Sequence, residues 1–311
     1  MTSADVSVSE IGFSRVNWST YLAYRPIYQT AFFERIFNYH AQKQGTTWSV
    51  GHDVGAGCGI VSSTLAARFD NVIVSDPNDG YVTLAKELLV EEASLPESKF
   101  TFLQEPAEKS SVATGTVDLI AACECIQWTN PGAAIKEFGR QLKTGGTLAI
   151  TYYVRPLVEG GERAQAVWKG VWATHSELAR GDVYERAFRT VNTALENLEF
   201  PEEQWETVKR VYINTRGNVS DFAMNNMTAE RKVKESEEKI WVEDDEEWFD
   251  TKDVKWFKGY LSTWVPSIPE TEMQGVWDEL ESALGDTKVR IRTPVVMIFA
   301  TKKAYPTMVV C

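Results

Sequence analysis

Residues 48–60 read Trp48-Ser-Val-Gly-His-Asp-Val-Gly-Ala-Gly-Cys-Gly-Ile60. The run begins as a short apolar strand, breaks into glycines at Gly55, Gly57 and Gly59, and passes into an alanine-bearing helical stretch from Ile60 to Phe69. Strand, glycine loop and helix in that order make a small-ligand site. The loop has no side chains to hold a ligand off, and a helix start presents free N–H groups and partial positive charge.

Working outward, a βα alternation follows. Asn71–Asp76 reads as a second buried strand ending in an acid, followed by Pro77 and a helix carrying Val82, Leu84, Ala85, Leu88 and Leu89. Phe100–Leu103 and Val117–Cys123 are expected as the third and fourth strands, and Thr147–Val154 as the fifth after a helix opened by Pro131. Short apolar strands separated by helices imply an α/β fold with a doubly wound, mostly parallel sheet that binds ligands at the strands' carboxyl ends. Upstream, aromatic residues recur at helical spacing from about Asn17 to Gln42, with Pro26 near the start of the longer helix. Downstream, 162–199 reads as helical, Val208–Thr215 as a sixth strand, Lys252–Trp264 and Thr271–Leu284 as helices, and Pro294–Thr301 as a last strand. The stretch 221–250 resists assignment. The organisation expected is an N-terminal helical lid (11–46), a ligand-binding core (47–154), a helical cap including one core strand (155–287) and a final core strand region (288–303).

Composition narrows the partners. The 311 residues carry 32 basic and 44 acidic side chains, a net charge of −12. That field repels phosphate backbones and anionic lipid, so neither nucleic acid nor membrane is the expected partner. The densest acidic run, Glu243–Glu247, reads as a solvated face. No apolar run approaches the ~20 residues of a membrane span. Residues 1–10 read as a loose polar tail without the features of a signal peptide, and the final Cys311 is misplaced for prenylation. A cytoplasmic monomer or homodimer is expected. The four cysteines make no disulfide framework; Cys123 and Cys125 are expected to alternate along one strand, and no metal site is expected.

The glycine spacing Gly55-x-Gly57-x-Gly59 lacks the third glycine of a dinucleotide fingerprint, where Ile60 stands. Asp53, two residues before the loop, would meet a pyrophosphate with negative charge but favours a cationic ligand. S-adenosylmethionine brings an ammonium and a sulfonium. Asp76 suits a ribose diol, or alternatively a cap on the following helix.

Asp53-Val-Gly-Ala-Gly-Cys-Gly59, Val74-Ser-Asp76 and Val117-Asp-Leu-Ile-Ala-Ala-Cys-Glu-Cys-Ile-Gln-Trp128 resemble successive motifs of class I S-adenosylmethionine-dependent methyltransferases. More narrowly, Tyr21-Leu-Ala-Tyr-Arg-Pro-Ile-Tyr28, Glu124–Trp128 and Tyr260–Trp264 resemble segments of the trans-aconitate methyltransferase-like group of fungi. The resemblance covers about 17–154 well and the cap in fragments. It implies a Rossmann-like fold with a seven-stranded sheet. It also implies that Gly55, Ala56, Gly57 and Gly59 lie against the methionine part and that Asp53 anchors its amine. Asp76, followed by Pro77, would hold the ribose, and Tyr21 and Arg25 would meet the carboxylate. Cys123 and Glu124 would line the sulfonium end, and Ala107 and Glu108 would lie near the adenine. Two departures stand out. Pro106 replaces the group's usual acid for the adenine amine, and Gln127 replaces its histidine.

Methyl transfer is an in-line displacement that needs alignment and exclusion of water. A carboxylate or thiolate acceptor requires no general base, whereas a hydroxyl or amine can use one. Of three histidines, only His175 in the cap is a candidate base, set against a purely structural role. Glu124 is a second candidate, better suited to binding. Trp128 and Gln127 are expected at the acceptor. A tricarboxylate would want several arginines, and the cap offers only the scattered Arg155, Arg163 and Arg216. The expected function is methyl transfer to a small organic molecule of secondary metabolism. The alternatives are a methyltransferase-fold protein that binds the cofactor without transfer, as a cyclase or regulatory subunit would, and, further off, a nicotinamide oxidoreductase.

Overall fold

The computed structural model describes residues 17–304. The expected tail over 1–10, the first residues of the expected lid (11–16) and Cys311 lie outside the described residues.

Two helices precede the sheet, α1 (Trp18–Tyr24) and α2 (Thr30–Ala41). Asn17 caps α1, its Oδ1 accepting from Thr20 N at 3.1 Å. Arg25, preceding Pro26, is extended (φ −77°, ψ 149°) and stops α1. The expectation of Pro26 near the start of the longer helix is therefore corrected: proline disfavours a helical residue before it, so it separates the two helices.

The core elements follow as β1 (Val50–Val54), α3 (Ile60–Ala66), β2 (Asn71–Asp76), α4 (Asp79–Lys86), β3 (Phe100–Gln104), β4 (Val117–Cys123), α5 (Pro131–Gln141) and β5 (Leu142–Tyr153). Every residue of β4 is buried, as a strand covered on both faces requires. The remainder comprises β6 (Leu157–Val158), α6 (Glu162–Leu178), α7 (Asp182–Val191), β7 (Trp205–Ile213), β8 (Glu238–Val242), β9 (Phe249–Lys252), α8 (Val254–Ser262), α9 (Gln274–Leu284), β10 (Val289–Arg292) and β11 (Val295–Lys302).

The main sheet runs β3-β2-β1-β4-β5-β11-β7-β8. The first five strands are parallel, β11 is antiparallel to both neighbours, and β8 pairs parallel with β7. This is an α/β Rossmann-like sheet, with eight strands rather than the expected seven. The extra strand, β8, lies in the stretch left unassigned. Residues 155–287 also contribute β6 and β9 to a small antiparallel sheet, with β10 from the following stretch between them.

Two hydrophobic layers cover the main sheet. One gathers Phe32, Ile36, Leu65 and Ala85 from α2–α4 against Leu119, Ala121 and Ala149. The other gathers Phe138, Trp168, Phe188, Tyr260 and Leu280 from α5–α9 against Ile120, Leu148 and Ile150. Apolar burial on both faces stabilises such a sheet and leaves its carboxyl edge open to ligands. Cys123 ends β4 and packs in the first layer, whereas Cys125 packs against the second. The two thiols do not share one side of a strand, because the chain turns at Glu124 (φ +58°).

Candidate active site

The glycine loop joins β1 to α3 with Gly55 and Gly57 at φ +65° and +54°, a conformation that side chains resist. A Cβ on Gly55 would lie 2.5 Å from Cys125 Cβ, so this glycine is required by the protein's own packing. A Cβ on Gly57 would meet only the tip of the Trp18 indole, at 3.0 Å. The loop is pinned to β2, with Ala56 N donating to Ser75 O at 3.0 Å and Gly57 N to Asp76 Oδ2 at 3.1 Å. Gly59 stands at the start of α3 against Leu89.

Asp53 is buried at the end of β1, and Ser62 Oγ donates to its Oδ2 at 2.6 Å. Burial raises its pKa to about 7, with the Ser62 hydrogen bonds opposing. Asp76 accepts from Gly57 N and, at 2.9 Å, from Asn78 N; burial raises it to about 6. It thus ties the loop to the start of α4, the helix-start role weighed above, while each oxygen keeps a second lone pair for a hydroxyl. Pro77 continues the chain from Asp76 toward α4.

Tyr21 and Arg25 come over from α1. Arg25 Nε donates to Thr263 Oγ1 at 2.8 Å and Nη2 to Thr263 O at 3.0 Å. Its guanidinium lies over the rings of Tyr21 (4.9 Å) and Trp264 (4.5 Å). Glu124 Oε1 accepts from Tyr153 N at 2.5 Å, and burial lifts its pKa to about 8 against the pull of Tyr153 N–H and Arg25. Among the described residues, none of Arg25, Asp53, Asp76 and Glu124 forms an ion pair within 4 Å. A guanidinium and carboxyl groups with no ion-pair partner within 4 Å along one sheet edge fit a ligand carrying both charges, as an amino acid does. With the glycine cradle and the acid ending β2, the arrangement fits S-adenosylmethionine. Glu108, expected near the adenine, also braces the start of α5, its Oε1 accepting from Asn130 N at 2.6 Å. Ala107 is half-buried against the core.

Gln127, Trp128 and His175 line one pocket together with Tyr152, Trp172 and Trp264. Gln127 Nε2 donates to Glu124 O at 3.0 Å, which links the pocket to the charged cluster. Arg155, Arg163 and Arg216 stay outside it. Arg155 holds Asp221 O and Ala223 O, Arg163 holds Ser282, and Arg216 pairs with Glu159 at 2.5 Å. His40 and His52 are structural, bonded to Thr147 and Thr47 and to Gln141 and Ser75. The sequence reading missed Trp18, Tyr153 and Thr263. Only the position of Tyr153 at the carboxyl end of a parallel strand signals a ligand edge.

Fold and site together define a doubly wound α/β protein with a glycine loop at the sheet's carboxyl edge and an aromatic pocket beside it. A family model described as a methyltransferase domain matches residues 52–150. Methyltransferase cfoB of Aspergillus candidus is 30% identical, over 92% of this chain and 94% of its own. Methyltransferase pgmE of Aspergillus terreus is also 30% identical, over 92% and 93%. A solved structure assigned as a type II methyltransferase, from Anaeromyxobacter dehalogenans, shares the fold at a TM-score of 0.57 and 19% identity, over 88% of this chain and 97% of its own. The chain belongs to the class I S-adenosylmethionine-dependent methyltransferases. Among the described residues no helix is long and apolar enough to cross a membrane, and no cluster of metal-ligating side chains occurs.

Proposed function

We propose that this methyltransferase acts on a small organic molecule of fungal secondary metabolism, bound in the pocket of Gln127, Trp128 and His175. The observation that carries this reading is a shared wall. Trp264 stacks on Arg25 and also lines the pocket, and Gln127 bonds the Glu124 carbonyl. S-adenosylmethionine, when bound, supplies an electrophilic methyl group on a sulfonium. The chain's residues orient and enclose. Asp53 and Arg25 take the amino-acid charges, Asp76 holds the ribose, Glu124 and Cys123 border the sulfonium end, and α1 covers the loop with Trp18 and Tyr21. Excluding water there strengthens each charge interaction.

The Tyr21–Tyr28 motif supports kinship with the trans-aconitate methyltransferase-like group. The acceptor differs, since no arginine lines the pocket. Residues 155–287 act as the substrate cap and the helices before β1 as the lid. A cytoplasmic monomer or homodimer completes the reading. Incubation with methyl-labelled S-adenosylmethionine and a fungal metabolite extract should yield a labelled small product and S-adenosylhomocysteine in equal amounts. Tight cofactor binding with no turnover in any extract would favour a non-transferring role.

A further inference from the structure

The pocket beside the cofactor edge is aromatic and apolar, yet it holds buried polar atoms with no hydrogen-bond partner: Gln127 Oε1, Tyr152 Oη, Trp172 Nε1, His175 Nδ1 and Trp264 Nε1. These residues are 5%, 1%, 1%, 2% and 8% exposed. Buried polar atoms are rarely left unpaired, and several around one pocket point to a ligand that completes them.

The sense of each bond is set by what the rest of the side chain does. Gln127 Nε2 donates to Glu124 O, which turns Oε1 toward the acceptor role. His175 Nε2 lies 3.2 Å from Pro266 O. A carbonyl only accepts, so the ring proton sits on Nε2 and Nδ1 is a bare acceptor. Burial holds this imidazole neutral, its pKa near 4. The Trp172 and Trp264 indole N–H groups only donate, and the Tyr152 hydroxyl does either. The pocket therefore offers two fixed acceptors, two fixed donors and one adaptable hydroxyl, with no cationic side chain in its lining.

We infer that this pocket selects a neutral methyl acceptor with an apolar body and at least two hydrogen-bond donors, hydroxyl or N–H, and rejects carboxylates. The inference rests on the small-molecule methyltransferase reading. A carboxylate could accept from the indole N–H groups or the Tyr152 hydroxyl, but it would meet no cation and would leave Gln127 Oε1 and His175 Nδ1 without a donor. A donor-bearing molecule pairs with both and leaves its own oxygen for Trp172. The space measures about 20 Å³, room for one water, so a larger molecule parts the walls on entering.

The test is calorimetric titration of the full chain, first with S-adenosylhomocysteine and then, at saturation, with three probes of one ring geometry. Resorcinol carries two donors, 1,3-dimethoxybenzene none, and isophthalate two carboxylates. Resorcinol should bind at least about tenfold more tightly than the other two, a difference that two hydrogen bonds supply. Gln127→Met should weaken resorcinol about fivefold and leave 1,3-dimethoxybenzene unchanged. Equal affinity for resorcinol and its dimethyl ether, or preference for isophthalate, overturns the inference in the unaltered protein, whatever the variant's folding. S-adenosylhomocysteine binding with no probe binding also overturns it and makes the pocket a water site. Failure of S-adenosylhomocysteine itself to bind would instead strike the methyltransferase reading beneath it.

Discussion

Replacing Asp53 by asparagine should remove a loss of stability that the ligand-free protein suffers as pH rises, while weakening its hold on the cofactor. Asp53 is buried, and its pKa is raised from an ordinary 3.8 to about 7. A carboxyl whose folded pKa is raised contributes stability that is complete below its unfolded pKa. That contribution is lost as pH rises through the folded value. From pH 5 to pH 7 the loss spans roughly two units at about 1.4 kcal/mol each, so about 3 kcal/mol separates pH 5 from pH 8. Asparagine keeps an oxygen for the Ser62 hydroxyl but has no charge to bury. Urea denaturation of both proteins at pH 5 and pH 8 reads the difference. Asp76 and Glu124 are raised as well and slope the same way in both proteins, so the comparison reads Asp53 together with its coupling to Asp76. The variant's stability relative to the unaltered protein should rise by about 2–3 kcal/mol between pH 5 and pH 8. Its affinity for S-adenosylmethionine at pH 8 should fall by about 1–3 kcal/mol, the worth of a charged hydrogen bond. Parallel stability slopes in the two proteins, or unchanged affinity at pH 8, would refute the reasoning.

Gly55→Ala places a Cβ 2.5 Å from Cys125 Cβ in a left-handed backbone. It should cost about 2–5 kcal/mol in chemical denaturation, conformation and overpacking together, whereas Gly57→Ala should cost about 1–2 from conformation alone. Equal losses would contradict the packing read at Gly55. Arg25→Gln should weaken S-adenosylhomocysteine by about 1.5–3 kcal/mol, as loss of a charged hydrogen bond does. It should leave 5′-methylthioadenosine, which lacks the amino acid, unchanged in the same titration. Asp76→Asn turns one carboxylate oxygen into an amide that meets a backbone N–H from Gly57 or Asn78. Adenosine and S-adenosylhomocysteine should weaken together, by about 1–3 kcal/mol, and an effect on only one would move Asp76 off the ribose.

The strands that form the ligand edge are legible because they are buried on both faces and therefore read as apolar runs, β4 most plainly. The strand β8 escaped because it lies at the sheet's rim, and Glu238-Lys-Ile-Trp-Val242 remains largely exposed. The short strands β9 and β10 mix charged and apolar residues, and they are held by pairing with each other rather than by a local pattern. At the site, Asp53, Asp76 and the glycines follow from what a strand–loop–helix turn permits. The bond of Glu108 to the α5 start is not legible in the same way, since the need of that start for an acceptor is a tertiary fact. His175 was legible as a residue type only. That its Nε2 is spent on Pro266, leaving Nδ1 facing no partner, depends on a contact 91 residues away in sequence.

A crystal structure of the protein with S-adenosylhomocysteine bound is the most direct measurement. The amino group should lie toward Asp53 and the glycine loop, the carboxylate toward Arg25 and the ribose hydroxyls on Asp76. The sulfur should face the pocket of Gln127, Trp128 and His175. A ligand seated elsewhere, or a sulfur turned away from that pocket, would contradict both the cofactor site and the acceptor site drawn from it.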